Sequence, residues 1–534
     1  MSFNFGDMIE AVERKVPADR PALAHGDEVV VWGELARRSS NLARALIERG
    51  LQPGERVAFY AYNSASYLVA LMACWKARGT HVNVNYRYVA DELAYILADS
   101  DATVLFYDAG LRDAVAAVAE RSPHVRTWVE WGEGGDASAP VPAFAERLET
   151  LVAGDGAPLG IARDPGDRFF IYTGGTTGMP KGVVWAHADL NAIGLAAVAA
   201  QGLPVPDSVE QAADFAAANP DWPKTLVGPP IMHGTGLLSA YGALLAGGLA
   251  ITLPSHSFRA EEALDAIDRW KANRLVVVGD AFARPILEAL DAAPGRWDVS
   301  SVRLIVSSGV MWTQGVKDGL LRHMPDAVCQ DNFSSSEAIG MGVSVTTRDG
   351  TVETAKFMVG PRCRVLDEND RDVVPGSGAR GVVALGPPNP IEYHKDPAKS
   401  ARTFREIGGV RYSIPGDFAE VAADGTLILL GRGSACINSA GEKVFPEEVE
   451  EALKLCPAVR DALVFGVPDP KWGQAVAAVV RVDEGFDEAR LREDLRARLA
   501  GYKRPKLIVA TDQSLRAPNG KADYGKAKTL AGVA

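Results

Sequence analysis

The segment YTGGTTGMPKG, Tyr172 to Gly182, concentrates groups that bind phosphate. Thr173, Gly174, Gly175, Thr176, Thr177 and Gly178 supply backbone N–H and hydroxyl donors on a flexible loop, and Lys181 adds a positive charge. The apolar run RFFIY precedes it, so the loop opens from the end of a strand. It is not a GxxxxGK[ST] loop, because Pro180 precedes the lysine and Gly182 follows it. A generic GxxG reads as a surface turn; this string does not. Further along, charged groups stand alone: Glu337 in DNFSSSEAIG, Asp417 in YSIPGDFAEV, Lys521 in RAPNGKADYGKAK. Taken singly, Glu337 is an ordinary loop carboxylate, Asp417 follows a Pro415-Gly416 turn, and Lys521 is a surface lysine.

Composition narrows what these groups serve. The chain of 534 residues carries a formal net charge of −12, which argues against a general nucleic-acid binder, since that role needs a basic face. Cys74, Cys329, Cys363, Cys436 and Cys456 form no CxxC pair, so neither a disulfide framework nor a zinc site is expected, and a cytoplasmic setting is the simpler reading. No His/Cys cluster has metal-ligand spacing, and no GxSxG elbow is present. The N-terminal MSFNFGDMIEAVERKVP carries Asp7, Glu10 and Glu13 and is not a signal peptide. The uncharged stretch from Thr225 to Ser257 is interrupted by glycines and prolines, which predicts buried strands and a short helix lining a pocket. Peripheral membrane contact and a homodimer remain open.

The elements that must position these groups follow from periodicity. Val31 to Gly50 has helical spacing and stops at glycine; ERVAFYAYN, THVNVN and the strand after DELAYILADSD alternate with helices. This βαβα rhythm predicts a large α/β N-terminal part with parallel-rich sheets, whose strand ends open into Gly/Ser loops where ligands bind. From about 357 to 430 helical periodicity fades, and RCRVLDE, GVVALG and GTLILLG predict a small β-rich lobe. After Gly431, helix–turn–strand patterns predict a compact α+β unit. The expected division is 1–431 and 432–534, with a hinge near Gly431 to Ser434.

In this order the segments resemble those of the superfamily of acyl-CoA synthetases, peptide-synthetase adenylation domains and luciferases. The loop is similar to that family's [ST]-[ST/G]-G-[ST]-T-G-x-P-K-G, and DNFSSSEAIG to its Y-G-x-[ST]-E, with Ser334 in place of the glycine. The resemblance implies ATP bound by Thr173 to Gly178, Lys181 and Asn332. It further implies Phe333 against the adenine, Ser336 at the α-phosphate, and Glu337, with Thr177, holding Mg²⁺. YSIPGD resembles the family's T-G-D segment, although Ile414-Pro415 replaces the common Arg-Thr; Asp417 and Arg432 would hold the ribose. GRGSACINSAGEKVFPEEVE resembles the hinge segment, with Ser434 where Asp or Lys is usual; Ser434, Gly441 and Lys443 would serve the hinge and coenzyme A. Lys521 would reach the reacting carboxylate and α-phosphate, completing a catalytic set of Lys521, Thr177 and Glu337.

Three readings follow: a free-standing acyl-CoA synthetase, an acyl-adenylating enzyme that loads a carrier protein, and a non-catalytic nucleotide-binding homologue. The retained Thr177, Lys181, Glu337, Asp417, Arg432 and Lys521, and the lack of a carrier domain after Lys521, favour the first. VVVGDAFARPILEAL and SSGVMW resemble a branch that activates bulky lipid acids, including steroid side-chain acids. In that reading Gly279 and Gly309 leave room for the acyl group, and Met232, His233 and Phe282 wall an apolar pocket. The expected substrate is a medium-to-long-chain or ring-bearing carboxylic acid.

Overall fold

The computed structural model describes residues 3–132, 140–173, 180–310, 312–350, 356–432, 437–439, 442–469, 473–499, 501–517 and 520–533. Two eight-stranded sheets dominate. In the first, the strands Pro21–His25, Leu249–Thr252, Lys224–Val227, Arg274–Val277, Leu304–Ser308 and Val328–Ser335 run parallel, with antiparallel strands at both edges. In the second, Arg56–Tyr60, Thr80–Asn83, Ala102–Asp108, Thr127–Trp131 and Arg168–Thr173 form the parallel centre. Their apolar runs are what strands covered on both faces require.

The main core lies between these sheets. The helix Ala65–Lys76 is buried along its whole length there, started by Ser64, whose hydroxyl accepts the Tyr67 N–H. Its last residue, Lys76, is buried against Glu13 at 2.7 Å and Ser39 at 2.7 Å. The stretch read as pocket-lining separates into the strand Lys224–Val227, the helix Gly234–Leu245 and the strand Leu249–Thr252. Among the described residues no helix is long and apolar enough to cross a membrane.

A seven-stranded sheet between Lys356 and Arg432 forms the β-rich lobe, antiparallel throughout. A five-stranded sheet with the helices Pro446–Lys454, Glu488–Arg498 and Tyr524–Leu530 forms the small C-terminal unit. The fold class expected from the sequence is the one observed. Of the hinge expected near Gly431 to Ser434, residues 433 and 434 lie outside the described residues.

One close approach sets the pocket loop. A Cβ on Gly236 would lie 2.5 Å from the Pro230 carbonyl oxygen, so only glycine lets the 229–233 turn close onto the helix that follows. Gly236→Ala is expected to cost about 1–3 kcal/mol of stability and to raise KM for the acid. Chemical denaturation and steady-state kinetics check this; an unchanged KM in a destabilised protein would separate packing from the pocket.

Candidate active site

The site is built where strand ends converge. Val227 pairs with Val276, Val277 with Ser307, and Ser308 with Asn332, so the chain leaves four neighbouring parallel strands on the same side. The outgoing turns carry His233, Gly279, Gly309 and the hairpin tip Ser336-Glu337. This is the crevice in which open α/β sheets bind ligands.

In the second sheet, Thr173 pairs with Lys181, which fixes both ends of the expected phosphate loop on adjacent strands. Gly174, Gly175, Thr176, Thr177 and Gly178 lie outside the described residues. Lys181 leans on Asp396 at 3.8 Å, half-buried and loosely held. Behind the strand end, Asn83 donates to the carbonyls of Tyr172 at 3.0 Å and Met232 at 2.7 Å, tying the loop's root to the His233 turn. Tyr95 donates to the Pro180 carbonyl at 3.2 Å.

The strand that returns from this loop, Lys181–Ala186, also fixes Glu337. Trp185 Nε1 donates to the Ser336 carbonyl at 2.9 Å. The strand Glu392–Tyr393 pairs with Lys181–Ala186, and the Tyr393 hydroxyl donates to Glu337 Oε1 at 2.7 Å. Ser413 donates to the Glu337 carbonyl at 2.6 Å. Glu337 is buried, and among the described residues only Oε1 of its carboxylate is hydrogen-bonded. Among the described residues no group of three or more His, Cys, Asp or Glu side chains could hold a metal by itself. One carboxylate with an oxygen to spare suits Mg²⁺ shared with a triphosphate, because that ion keeps most of its shell as water and phosphate oxygens. Tyr393, Ser413, Trp185 and Asn83 carry no signal in the sequence; they enter through strand pairing.

Asp417 and Arg432 stand opposite each other across the hairpin of Asp417–Val421 and Leu427–Arg432, and the Asp417 side chain is buried. Asn332 accepts from Ser308 and Gln330 within the strand Val328–Ser335. Two apolar residues named for the site also take part in cores. Phe333, expected against adenine, is 8% exposed and packs on Phe357 in the core of the β-rich lobe. Met232, expected as a pocket wall, is buried in the same core cluster as Tyr172 in the second sheet. Phe333 takes its face from alternation along the strand Val328–Ser335, whereas Met232 lies in the turn before the helix Gly234–Leu245.

His233 caps the helix Gly234–Leu245, with its Nε2 buried and without a hydrogen-bond partner among the described residues. Burial pushes its imidazole down to about 3, and the charges of Lys521 and then Arg87 add to the effect. Lys521 itself is exposed on its loop. That loop docks on the large unit: a Cβ on Gly520 would lie 3.0 Å from the Phe282 ring. Phe282 packs on Phe258 with ring centroids 4.5 Å apart and the rings tilted, and Gly279 opens the helix behind it with φ +53°. A Cβ on Gly309 would meet nothing within 4 Å, so this position borders open space. A side chain at Gly431 would collide with Glu447 of the first helix of the small unit. Lys443 lies on the strand Glu442–Val444; Ser434 and Gly441 lie outside the described residues.

Beside the crevice lies an open cleft of about 660 Å³, lined by Tyr62, Tyr86, Arg87, His256 and Arg259. A narrow continuation reaches Gly228, Phe258 and Phe282. Gly228 and His256 belong to the stretch Thr225 to Ser257 expected to line a pocket.

Paired α/β sheets with a Gly/Thr loop, a buried carboxylate at a hairpin tip and a lysine on a separate small unit define a nucleotide-using enzyme. Residues 9–390 match the AMP-binding enzyme family and 448–521 match the AMP-binding enzyme C-terminal domain, and the chain belongs to that family. It is 40% identical, over 99% of its length and 96% of the relative's, to a medium/long-chain-fatty-acid–CoA/3-oxocholest-4-en-26-oate–CoA ligase of Mycobacterium tuberculosis. It is 38% identical to the 3-oxocholest-4-en-26-oate–CoA ligase of Rhodococcus rhodochrous, over 100% of this chain and 97% of that one. Among solved structures, ATP-bound MatB from Rhodopseudomonas palustris superposes with a TM-score of 0.81 at 26% identity, covering 99% of both chains.

Two outcomes are expected. Tyr393→Phe removes a hydrogen bond to a charged carboxylate, of the kind that contributes about 1.5–3 kcal/mol. Acid-dependent ATP–pyrophosphate exchange should fall about tenfold or more and need more Mg²⁺; an unchanged Mg²⁺ dependence would count against the role given to Glu337. His233 should stay neutral from pH 5 to 8. Burial opposes its protonation, so acid below its ordinary pKa of about 6.5 destabilises the fold rather than activating the site. Histidine-selective NMR titration checks this, and a midpoint near neutrality would contradict it.

Proposed function

We propose that the chain is an ATP-dependent carboxylic acid:CoA ligase. Acid and ATP give acyl-AMP and pyrophosphate; acyl-AMP and CoA then give acyl-CoA and AMP. The observation that carries the reading is the docking of the Lys521 loop against Phe282, which brings a cation from the small unit to the His233 side of the crevice.

In the first step the carboxylate attacks the α-phosphorus and pyrophosphate leaves. Donors of the 173–178 loop and Lys181 would hold the phosphates, Asp417 and Arg432 the ribose, and Glu337 the Mg²⁺ that neutralises the leaving group when bound. Lys521 would offset the charge shared by carboxylate and α-phosphate. His233 stays neutral and bounds the acyl side without adding charge. In the second step the thiol sulfur of CoA attacks the acyl carbon, AMP leaves, and the thiol proton departs to solvent or a base. Lys521 is not needed there, so the small unit is free to turn about the hinge and present Gly441 and Lys443. Arg87 and Arg259 in the open cleft supply cations for the phosphates of CoA.

The acid is medium-to-long-chain or ring-bearing. Support comes from the names of the full-length relatives, the apolar Phe258–Phe282 wall and the open space at Gly309. Each methylene buried contributes roughly 0.8 kcal/mol, so kcat/KM should climb from acetate to octanoate and remain high for a steroid side-chain acid. Preference for acetate or an amino acid in a coupled AMP-release assay would overturn the substrate class. Lys521→Ala should lower acyl-AMP formation at least about a hundredfold while thioester formation from supplied acyl-AMP stays within a few-fold. Equal loss of both half-reactions would contradict the assignment, and transfer to a carrier protein but not to CoA would select the carrier-loading alternative.

A further inference from the structure

A lysine on an exposed loop delivers its charge to one point only if the loop's stem is fixed. The stem here is fastened twice inside the small unit. On one side Arg516 forms a two-pronged ion pair with Asp461, Nε to Oδ2 at 2.7 Å and Nη2 to Oδ1 at 2.6 Å, with both side chains largely buried. Asp461 belongs to the long strand Val459–Asp469. On the other side the Tyr524 hydroxyl donates to Glu450 Oε1 at 2.9 Å, and the same oxygen accepts the Val464 N–H at 2.9 Å. Between these anchors the loop closes on itself. Arg516 bridges to Ala522, the Ala517 N–H donates to the Lys521 carbonyl at 2.8 Å, and the Asp523 N–H donates to the Leu515 carbonyl at 3.0 Å. Leu515 is wholly buried beneath it.

The tip is fitted to the large unit. Gly520, at φ +80°, lies against Phe282, Ala281 and Val278, where the backbone leaves the strand that leads to Gly279. Lys454, buried beside Glu451 on the helix that also carries Glu450, feels the charge of Asp280 at the same place. Asp280 is itself held by Thr313, at 3.0 Å from the backbone N–H and 2.8 Å from the hydroxyl, and by Arg284 at 2.8 Å.

We propose that Arg516 and Asp461 are positioning residues for adenylation. Their ion pair sets the angle of the loop stem, so that docking of Gly520 on Phe282 turns the Lys521 ammonium toward His233. The inference rests on the adenylation role of Lys521. A guanidinium fork on a carboxylate fixes rotation as well as distance, which an ammonium on the same carboxylate cannot do. A buried pair of this kind is often no more stabilising than an apolar pair of the same size, so its product is orientation.

The test measures both half-reactions, ATP–pyrophosphate exchange and thioester formation from supplied acyl-AMP, in Arg516→Lys, Arg516→Met, Asp461→Asn and the exchanged pair Arg516→Asp with Asp461→Arg. The single variants should lose about tenfold or more in the adenylation kcat with KM for ATP little changed. Thioester formation should stay within about twofold, and the exchanged pair should recover part of the loss. Retained thioester formation also reports that the small unit is folded. If Arg516→Met does not fold, Arg516→Lys decides by the same split. Full adenylation in Arg516→Lys and Asp461→Asn overturns the inference, as does equal loss of both half-reactions in a variant with wild-type thermal unfolding. Lys521→Ala run in parallel tells the two failures apart: if it adenylates normally, the reading of Lys521 falls first.

Discussion

The arrangement answers one electrostatic constraint: a carboxylate must approach a triphosphate inside a chain of net charge −12. Two unit charges about 4 Å apart repel by roughly 4 kcal/mol at the effective dielectric of a protein surface, and a triphosphate carries several. Counter-charge therefore has to be local. His233 does not supply it, since burial keeps the ring neutral. In the proposed reading cations come from separate places instead: Lys181 at the end of one strand, Arg432 at the end of another, Lys521 from the small unit. A carboxylate, Glu337, is proposed to hold the metal. A charge delivered from a second unit can be present for one step and withdrawn for the next, which a cation fixed in the crevice cannot do.

The apolar framework exists to hold these charges at fixed separations. The return strand from the phosphate loop is the central member. Its first residue is Lys181, its Trp185 holds the Ser336 carbonyl, and its edge pairing brings Tyr393 to Glu337. The root of the loop and the Glu337 carboxylate are thus two ends of one hydrogen-bonded assembly. Asn83 extends it to the His233 turn. The small unit repeats the device, with Asp461 and Glu450 mounting the loop that carries Lys521.

The parts legible in the sequence are those whose chemistry is contiguous. The phosphate loop crowds its donors into a few residues, and the alternating helices and strands announce the parallel sheets. Glu337 and Lys521 became legible only through their companions in order. Tyr393 could not be read, because its two-residue strand has no periodicity and its partner lies 56 residues away. Ser413 and Trp185 reach Glu337 and Ser336 across 76 and 151 residues. Phe333 and Met232 were harder to place, because an apolar residue beside a motif serves the core as readily as the ligand.

The central claim is that the carboxylate oxygen of the acid becomes bonded to the α-phosphorus of ATP. The most direct measurement uses an acid whose carboxylate carries heavy oxygen, with ATP and CoA, followed by mass analysis of the phosphorus products. The account predicts one labelled oxygen in AMP and none in pyrophosphate. Label in inorganic phosphate or pyrophosphate, or unlabelled AMP alongside acyl-CoA, would contradict it.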